Sequence, residues 1–161
     1  MWRLSVLVVI LFTSCIDTSD EPAEPADGSN KVDRFFPRFP DQQFEFICLG
    51  DETKKVIEDL NKNGYELKAD QQNQFRNDAR QIEIILPQAD IVYSFRVFLF
   101  KKYDISCYEQ FLIFFTRWAK SKSISDEFSV FDFETEEQDF SITIFHQPDF
   151  IRLNYELKIA H

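Results

Sequence analysis

The sequence predicts an α+β fold, in which a mainly antiparallel sheet carries two helices on one of its faces. Two segments repeat apolar residues at helical spacing, several others alternate apolar and polar residues as strands do, and short turn segments separate them. The chain has 161 residues, of which 44% are apolar and 16% aromatic, so it can bury one sizeable core. We therefore expect a single globular domain over residues 34–161.

The first predicted strand and the first predicted helix follow each other near the start of this domain. The alternation over residues 44–49 indicates a strand that ends at Gly50. Asp51 can then cap a helix, and Asn63-Gly64 is typical of the left-handed end of such a helix. The apolar stripe of this helix consists of Val56, Ile57 and Leu60.

A polar segment and a hairpin come next. Residues 68–80 are rich in Gln and Asn, and we predict a long loop or an irregular approach to the next strand. The alternation over residues 82–86 and the β-branched and aromatic residues of 91–100 predict two strands. The turn residues 87–90 between them make this pair a hairpin.

The second helix is predicted to begin at Ser106, because Ser106 and Glu109 match the S-x-x-E capping box. Its apolar residues recur three and four positions apart and therefore fall on one face. These residues are Tyr108, Phe111, Leu112, Phe115, Trp118 and Ala119. We expect the helix to end between Lys120 and Ser123.

Three alternating segments close the domain and predict strands over residues 128–134, 140–145 and 150–159. In the last segment, apolar and polar residues alternate strictly from Ile151 onward. This pattern leaves one face of the strand exposed to solvent and favours an antiparallel sheet. The predicted order β-α-β-β-α-β-β-β matches a split βαβ plan with an added hairpin and both helices on one face. A helix followed by a hairpin occurs twice in this order, which is a weak internal repetition.

Phenylalanine is unusually frequent, with nineteen residues. Strand-rich cores use phenylalanine heavily, so we interpret most of these residues as core, with an aromatic binding surface as the alternative. Residues 34–40 contain three Phe and two Pro and predict an extended strap that packs its rings on the domain. A proline-rich recognition segment is the alternative for this stretch.

The chain is acidic, with a formal net charge of −10. This charge argues against a nucleic-acid-binding protein, because phosphates would be repelled, and against an electrostatic hold on anionic lipid. A charge of this size can steer a basic protein partner toward the chain, or it can serve solubility alone.

Residues 1–14 have the outline of a secretory signal peptide. Arg3 supplies one positive charge, residues 4–12 form an apolar run, and two small residues precede Cys15. The run is well short of the roughly 20 residues that span a bilayer. We therefore predict that this segment directs export and is removed.

The tetrapeptide Phe12-Thr13-Ser14-Cys15 resembles the lipobox of bacterial lipoproteins, in which the cysteine is acylated and the chain is cut just before it. The resemblance implies a lipid anchor on Cys15 and a place in the bacterial cell envelope. Ile16 resembles the residue found after that cysteine in diderm lipoproteins that leave the inner membrane, which implies the outer membrane. Ordinary signal cleavage without a lipid is the alternative.

Residues 15–33 are predicted to form a tether between the lipid and the domain. The stretch 16–30 carries five acidic residues and no basic one, with two Pro, so it cannot bury enough apolar surface to offset the entropy of ordering. We expect a semi-extended spacer that holds the domain away from the lipid surface.

The sequence contains no motif of nucleotide binding or of nucleophilic catalysis, since it lacks both glycine-rich phosphate loops and a G-x-S-x-G turn. Its only histidines are His146 and His161, which leaves no multi-histidine zinc site, so we assign no catalytic residue, metal or cofactor. His146 and Asp149, at the last predicted turn, form a candidate polar site. A histidine that bonds the backbone at a hairpin end is the alternative.

Two cysteines remain once Cys15 is assigned to the lipid. In an oxidising envelope, Cys48 and Cys107 could form a disulfide between the first strand and the second helix. Two buried thiols are the alternative, because the sequence gives no separation between them.

These features predict a membrane-anchored envelope lipoprotein that acts as a non-catalytic protein-binding module. One version is an inhibitor or immunity-type protein that neutralises a basic toxin or hydrolase by charge complementarity. The alternative is a small-ligand-binding protein or a hydrolase, for which a concave apolar cavity with converging polar groups is expected.

Overall fold

The computed structural model describes residues 32–69 and 73–158. It confirms the α+β class, since the described residues form two α-helices and one eight-stranded antiparallel sheet. The predicted signal peptide, the lipobox with Cys15 and the acidic spacer up to Lys31 lie outside the described residues, as does the predicted end of the last strand at Ile159.

The elements alternate between one helix and four strands, after a short 3-10 turn at Asp33–Phe35. The helices are α1 (Thr53–Lys62) and α2 (Ile105–Trp118). The strands are β1 (Glu66–Leu67), β2 (Gln74–Asn77), β3 (Ile82–Ile85), β4 (Ser94–Phe100), β5 (Ser121–Ile124), β6 (Phe128–Glu134), β7 (Asp139–Gln147) and β8 (Phe150–Leu157).

The sheet consists of two meanders that meet at its centre. Its strand order is β1-β2-β3-β4-β8-β7-β6-β5, and every neighbouring pair is antiparallel. The two meanders join between β4 and β8, where Val97 lies opposite Leu153. The repetition noticed in the sequence is therefore a helix followed by a four-stranded meander, present twice, rather than a helix followed by one hairpin.

Both helices cover the same face of the sheet. Alternate residues of the central strands are buried, such as Val97 of β4 and Leu153 of β8. Phe115 of α2 packs its ring 5.8 Å from the ring of Phe131 on β6, and Leu60 of α1 belongs to the same buried cluster. The core thus lies between one face of the sheet and the helices, as the alternation predicted.

A segment that precedes α1 packs against α2 and the helix-covered face of the sheet. We call residues 32–49 the strap. The ring of Phe36 stacks 4.8 Å from that of Phe114 on α2, and Phe39 packs edge-on against Phe133 of β6 at 5.1 Å. The prediction that residues 34–40 pack their rings on the domain is confirmed. Val32 is already fully buried, so the fold begins before residue 34.

The strand predicted over residues 44–49 is wrong. Phe44 and Ile47 form an isolated bridge around a tight turn, in which Glu45 has a left-handed φ of 53°. Phe44, Ile47 and Leu49 are buried by packing from several sides rather than by the two-residue period of a strand. The apolar alternation in this segment therefore reflects burial under the helix layer.

Three strands lie where the sequence predicted none, and the shortest of them is the two-residue β1. β2 falls within the predicted loop at 68–80, and β5 falls at the predicted end of the second helix. β2 carries polar residues even where it is buried, since Gln74 donates to Glu83 of β3. All four residues of β5 are exposed at the edge of the sheet, so it lacks an apolar period. Both β2 and β5 are held by backbone pairing rather than by apolar side chains.

The helix ends agree with the sequence only in part. Gly64 has a φ of 76° directly after Asn63, which confirms the predicted left-handed end of α1. The N-cap of α1 is Glu52 rather than Asp51, and that of α2 is Asp104 rather than Ser106. Asp104 is favoured because its carboxylate accepts a hydrogen bond of 3.1 Å from the backbone N–H of Cys107.

The corrected cap of α2 predicts a difference between two neighbouring alanine variants. Asp104→Ala removes the acceptor of the Cys107 N–H and is expected to lower the free energy of unfolding by about 1 kcal/mol. Ser106→Ala, in the first turn, is the matched control and should have little effect. Urea unfolding of the two variants measures the difference, and a larger loss in Ser106→Ala would restore the capping box.

Candidate functional site

The face of the sheet opposite the helices carries a cluster of aromatic side chains. We call it the aromatic face. Its phenylalanines alternate along the strands with the buried core residues, so they point away from the helices. They are Phe98, Phe100, Phe128, Phe145 and Phe150. Phe128 is 38% exposed and the other four are half-buried, although no helix or strap covers them in the described structure.

One row of the aromatic face crosses four strands. Phe98 of β4 lies opposite Arg152 of β8, which lies opposite Phe145 of β7, which lies opposite Phe128 of β6. The Arg152 guanidinium stands 3.9 Å above the centroid of the Phe145 ring, in a cation-π arrangement. Phe98 and Phe128 reach further rings at 5.6 and 5.8 Å, those of Phe150 and Phe145. The row is therefore apolar at both ends and cationic in the middle.

The next row carries polar groups whose hydrogen bonds are incomplete. Arg96 lies opposite Asn154, and Asn154 lies opposite Thr143. The Nε atom of Arg152 and the Oδ1 atom of Asn154 are buried and have no hydrogen-bond partner within residues 32–69 and 73–158. A buried polar atom without a partner costs free energy, and a bound molecule that supplies the partner removes that cost.

Asp132, on β6 at the margin of the aromatic face, is paired. Its carboxylate accepts hydrogen bonds of 2.7 Å from Lys158 and from Ser121. These hydrogen bonds lower the pKa of the Asp132 carboxyl below its ordinary value. The two unpartnered buried atoms of the face, Arg152 Nε and Asn154 Oδ1, lie on β8 instead.

The predicted polar site of His146 and Asp149 lies at the β7–β8 turn. Both side chains are exposed, and no hydrogen bond or ion pair joins them in the described part of the chain. The His146 ring instead stacks on that of Tyr108, with 5.1 Å between the centroids. Among the same residues, no three His, Cys, Asp or Glu side chains are grouped to hold a metal ion.

Cys48 and Cys107 are both present as thiols in the structure. Cys107 is buried in the first turn of α2, and Cys48 is half-buried in the strap. Burial, together with the nearby carboxylate of Asp51, raises the pKa of Cys48 to about 11. Because the thiolate is the nucleophile, this environment makes Cys48 unreactive rather than catalytic.

The raised pKa of Cys48 predicts slow alkylation. With a pKa of about 11 in place of the ordinary 9.0, the thiolate fraction at pH 8 is about 100-fold smaller, and the rate with iodoacetamide should fall accordingly. The rate is expected to rise with pH up to about 11, and unfolding in urea should restore the ordinary rate. Asp51→Asn is the matched variant and should react faster. Equal rates in the folded and unfolded chain would contradict this environment.

Two further features of the molecule lie away from the aromatic face. An open groove of about 790 Å³ runs between the start of α1 and the β3–β4 connection, beside Thr53, Ile57 and Asp90. Within the strap, Glu45 pairs with Arg80 and accepts a hydrogen bond of 3.2 Å from Tyr65. The Glu45 side chain is 10% exposed and that of Arg80 37%, so the pair is partly enclosed and links the strap to the β2–β3 turn.

The sequence prediction did not locate the aromatic face. Its signal is present in β4, where apolar residues occur at both parities, with Val97 and Leu99 on the core side and Phe98 and Phe100 on the other. An antiparallel strand with one wet face alternates apolar and polar residues. A strand that is apolar on both sides therefore indicates a second surface in use.

No protein-family model matches the sequence, and neither a curated protein nor a solved structure matches it significantly. None of the helices in the described ranges is long and apolar enough to cross a membrane.

Proposed function

We propose that this chain is a lipid-anchored protein of the bacterial envelope that binds another protein through its aromatic face, without catalysing a reaction. The observation that carries the proposal is the side of the sheet away from the helices, where five phenylalanines accompany Arg152, whose Nε–H has no hydrogen-bond partner among the described residues. Aromatic residues and arginine are the residue types enriched at protein interfaces.

The size of the aromatic face suits this role. Four strands about 4.8 Å apart and seven residues long, at about 3.3 Å per residue, give a face of roughly 15 by 23 Å. Functional apolar patches on monomers measure about 300–600 Å². The face is also an open side of a sheet, unlike a small-molecule site, which encloses most of its ligand.

The position of the strap supports presentation of this face away from a membrane. The described chain begins at Val32, in the layer that also contains Phe36 and α2. The aromatic face lies on the opposite side of the sheet. A domain tethered through residues 15–31 therefore enters from the helix side and leaves the aromatic face available to a partner.

The overall charge of −10 supports a proposal of a basic partner, including the inhibitor or immunity-type version. The groove beside α1, with a volume of about 790 Å³, supports the alternative of a small-ligand-binding protein or hydrolase. The experiment that tests the proposal must therefore distinguish the aromatic face from the helix side.

Site-specific photocrosslinking tests the proposal in the native envelope. Thr143 at the centre of the aromatic face is replaced by benzoylphenylalanine, with the same replacement at exposed Arg117 on α2 as the matched control. We expect a discrete protein adduct from position 143 and none from position 117. Adducts at 117 alone, or identical patterns from both positions, would overturn the proposal.

The anchor is tested by Cys15→Ser. We expect this variant to lose incorporation of radiolabelled palmitate and to appear in the soluble fraction, because the thiol that carries the acyl chains is gone. Cys48→Ser is the matched control and should leave both labelling and membrane association unchanged. Undiminished palmitate labelling in Cys15→Ser would contradict the lipid anchor.

A further inference from the structure

We propose that the aromatic face recognises a protein segment that carries a carboxylate side chain next to apolar side chains, with Arg96 and Arg152 as the carboxylate-binding pair. This inference rests on the proposed function and adds the chemistry of the partner. Guanidinium groups bind carboxylates through paired hydrogen bonds, which makes the carboxylate the natural ligand of such a pair.

The two arginines lie on adjacent strands of the same face. Arg96 on β4 is opposite Asn154, and Arg152, two residues before Asn154 on β8, is opposite Phe98. Arg96 and Arg152 are therefore diagonal neighbours, for which the Cβ atoms are about 7–8 Å apart. Side chains as long as arginine reach across that distance. The Arg152 guanidinium stacks on Phe145 of β7, so binding of one carboxylate by both arginines requires it to turn toward β4.

Both arginines of the aromatic face lack a carboxylate partner among the described residues, although the chain is acidic. Acidic residues outnumber basic ones, 28 to 18. Lys68, Arg80 and Lys158 all have carboxylate partners on or beside the sheet. Within the described ranges, neither Arg96 nor Arg152 forms an ion pair with a carboxylate. An acidic chain thus leaves two guanidiniums without carboxylates at the centre of an exposed face.

One of the two unmade hydrogen bonds of the face is complementary to the proposed ligand. The buried Nε–H of Arg152 is a donor without an acceptor among the described residues, whereas the Asn154 Oδ1 atom needs a donor that a carboxylate does not supply. A recess of about 180 Å³ is lined by Arg96, Asn154 and Glu156 among other residues, and Arg152 lies outside its lining, two residues before Asn154 on β8. A carboxylate that enters from solvent supplies acceptors to both arginines. The half-buried rings of Phe98 and Phe150 continue the surface on the other side, where apolar side chains of the partner pack.

The carboxylate of Glu156 should repel the proposed carboxylate ligand, and this repulsion provides a second test of the inference. Its exposed carboxylate lines the same recess, and like charges at close range repel. Replacing Glu156 by Gln should therefore strengthen binding of an acidic segment, whereas it should weaken binding of a basic one. The sign of this change separates the carboxylate ligand from the basic partner that the net charge suggests.

The experiment selects a phage-displayed library of random dodecapeptides on the full-length chain in detergent micelles. We expect enriched peptides with Asp or Glu beside large apolar residues. Fluorescence anisotropy of one enriched peptide should show at least tenfold weaker binding to Arg96→Gln/Arg152→Gln. The control Lys54→Gln/Lys122→Gln removes the same charge away from the face and should stay within twofold. Glu156→Gln should bind more tightly.

The experiment distinguishes failure of the carboxylate inference from failure of the proposed protein-binding function. Enriched peptides that are basic or uncharged, or that bind Arg96→Gln/Arg152→Gln as well as the original chain, overturn the carboxylate inference. If those peptides still lose binding in Thr143→Trp, which adds bulk at the centre of the face, the proposed function stands. No enrichment, or peptides indifferent to Thr143→Trp, overturns both.

Discussion

Replacing Phe36 by alanine is expected to lower the free energy of unfolding by about 3–5 kcal/mol, the usual loss for a fully packed aromatic residue. Phe36 is 5% exposed and its ring contacts rings of the strap and of α2. These rings belong to segments far apart in sequence, so the cavity left by alanine cannot close by a local shift. Urea unfolding monitored by circular dichroism measures the loss.

Two controls define what the Phe36 result means. Phe36→Leu keeps most of the apolar volume and should lose much less than alanine. Phe128→Ala, on the aromatic face and 38% exposed, should also lose less, because much of its ring is already in water. If Phe36→Ala matched Phe128→Ala, the strap would not belong to the core.

Arg80→Met is expected to lower the free energy of unfolding by about 2–4 kcal/mol, because it leaves the Glu45 carboxylate without its cationic partner. The Glu45 side chain is only 10% exposed, and Arg80 also contacts the Tyr65 hydroxyl at 3.3 Å. Burial and the nearby Glu45 raise the pKa of Tyr65, so this hydroxyl stays protonated and keeps donating to the carboxylate. The loss is measured by urea unfolding.

The double variant Glu45→Gln/Arg80→Met separates pairing from packing. Removing the carboxylate's charge should recover part of the stability lost in Arg80→Met, which a double-mutant cycle expresses as a coupling between the two sites. Lys62→Met breaks the exposed pair with Asp59 and should leave the free energy of unfolding nearly unchanged. A strictly additive cycle would show that the Glu45–Arg80 contact does not hold the strap.

The helices and the last three strands could be predicted because their apolar periods are complete. α2 presents Phe111 and Phe115 four residues apart, and β8 alternates Ile151, Leu153 and Tyr155 toward the core. In these segments, local pattern and tertiary burial agree. The antiparallel class followed from the same alternation, since a sheet buried on both faces would not alternate.

The strap and three strands, which are β1, β2 and β5, could not be predicted, because contacts outside each segment determine them. Phe44 and Ile47 are buried by a tight turn under the helix layer, which imitates the alternation of a strand. β2 is polar, and Gln74 is accommodated only because Glu83 of β3 accepts its hydrogen bond. Neither partner is adjacent in sequence, so no local period reveals the contact.

The aromatic face was present in the sequence only as an excess of phenylalanine. The sequence favoured core packing over an aromatic surface, and the structure contains both, since Phe140 of β7 is buried while Phe145 of the same strand is on the other side. Which phenylalanines lie outside depends on strand register. The arginine pair depends on it too, because Arg96 and Arg152 meet only when β4 pairs with β8.

The strap also determines how the domain responds to mechanical force. In the arrangement that we propose, tension between a lipid on Cys15 and a partner on the aromatic face would enter the described fold at Val32 and cross the strap before it reached the sheet. Strap backbone bonds such as Glu45 N–H to Phe35 C=O close within the strap itself. Ring packing and the Glu45–Arg80 contact are therefore the interactions that resist this tension. We expect the strap to detach from the domain before the backbone hydrogen bonds between β4 and β8 break. Under tension, the tethered end of the domain would unfold first, and the partner would stay bound to the aromatic face.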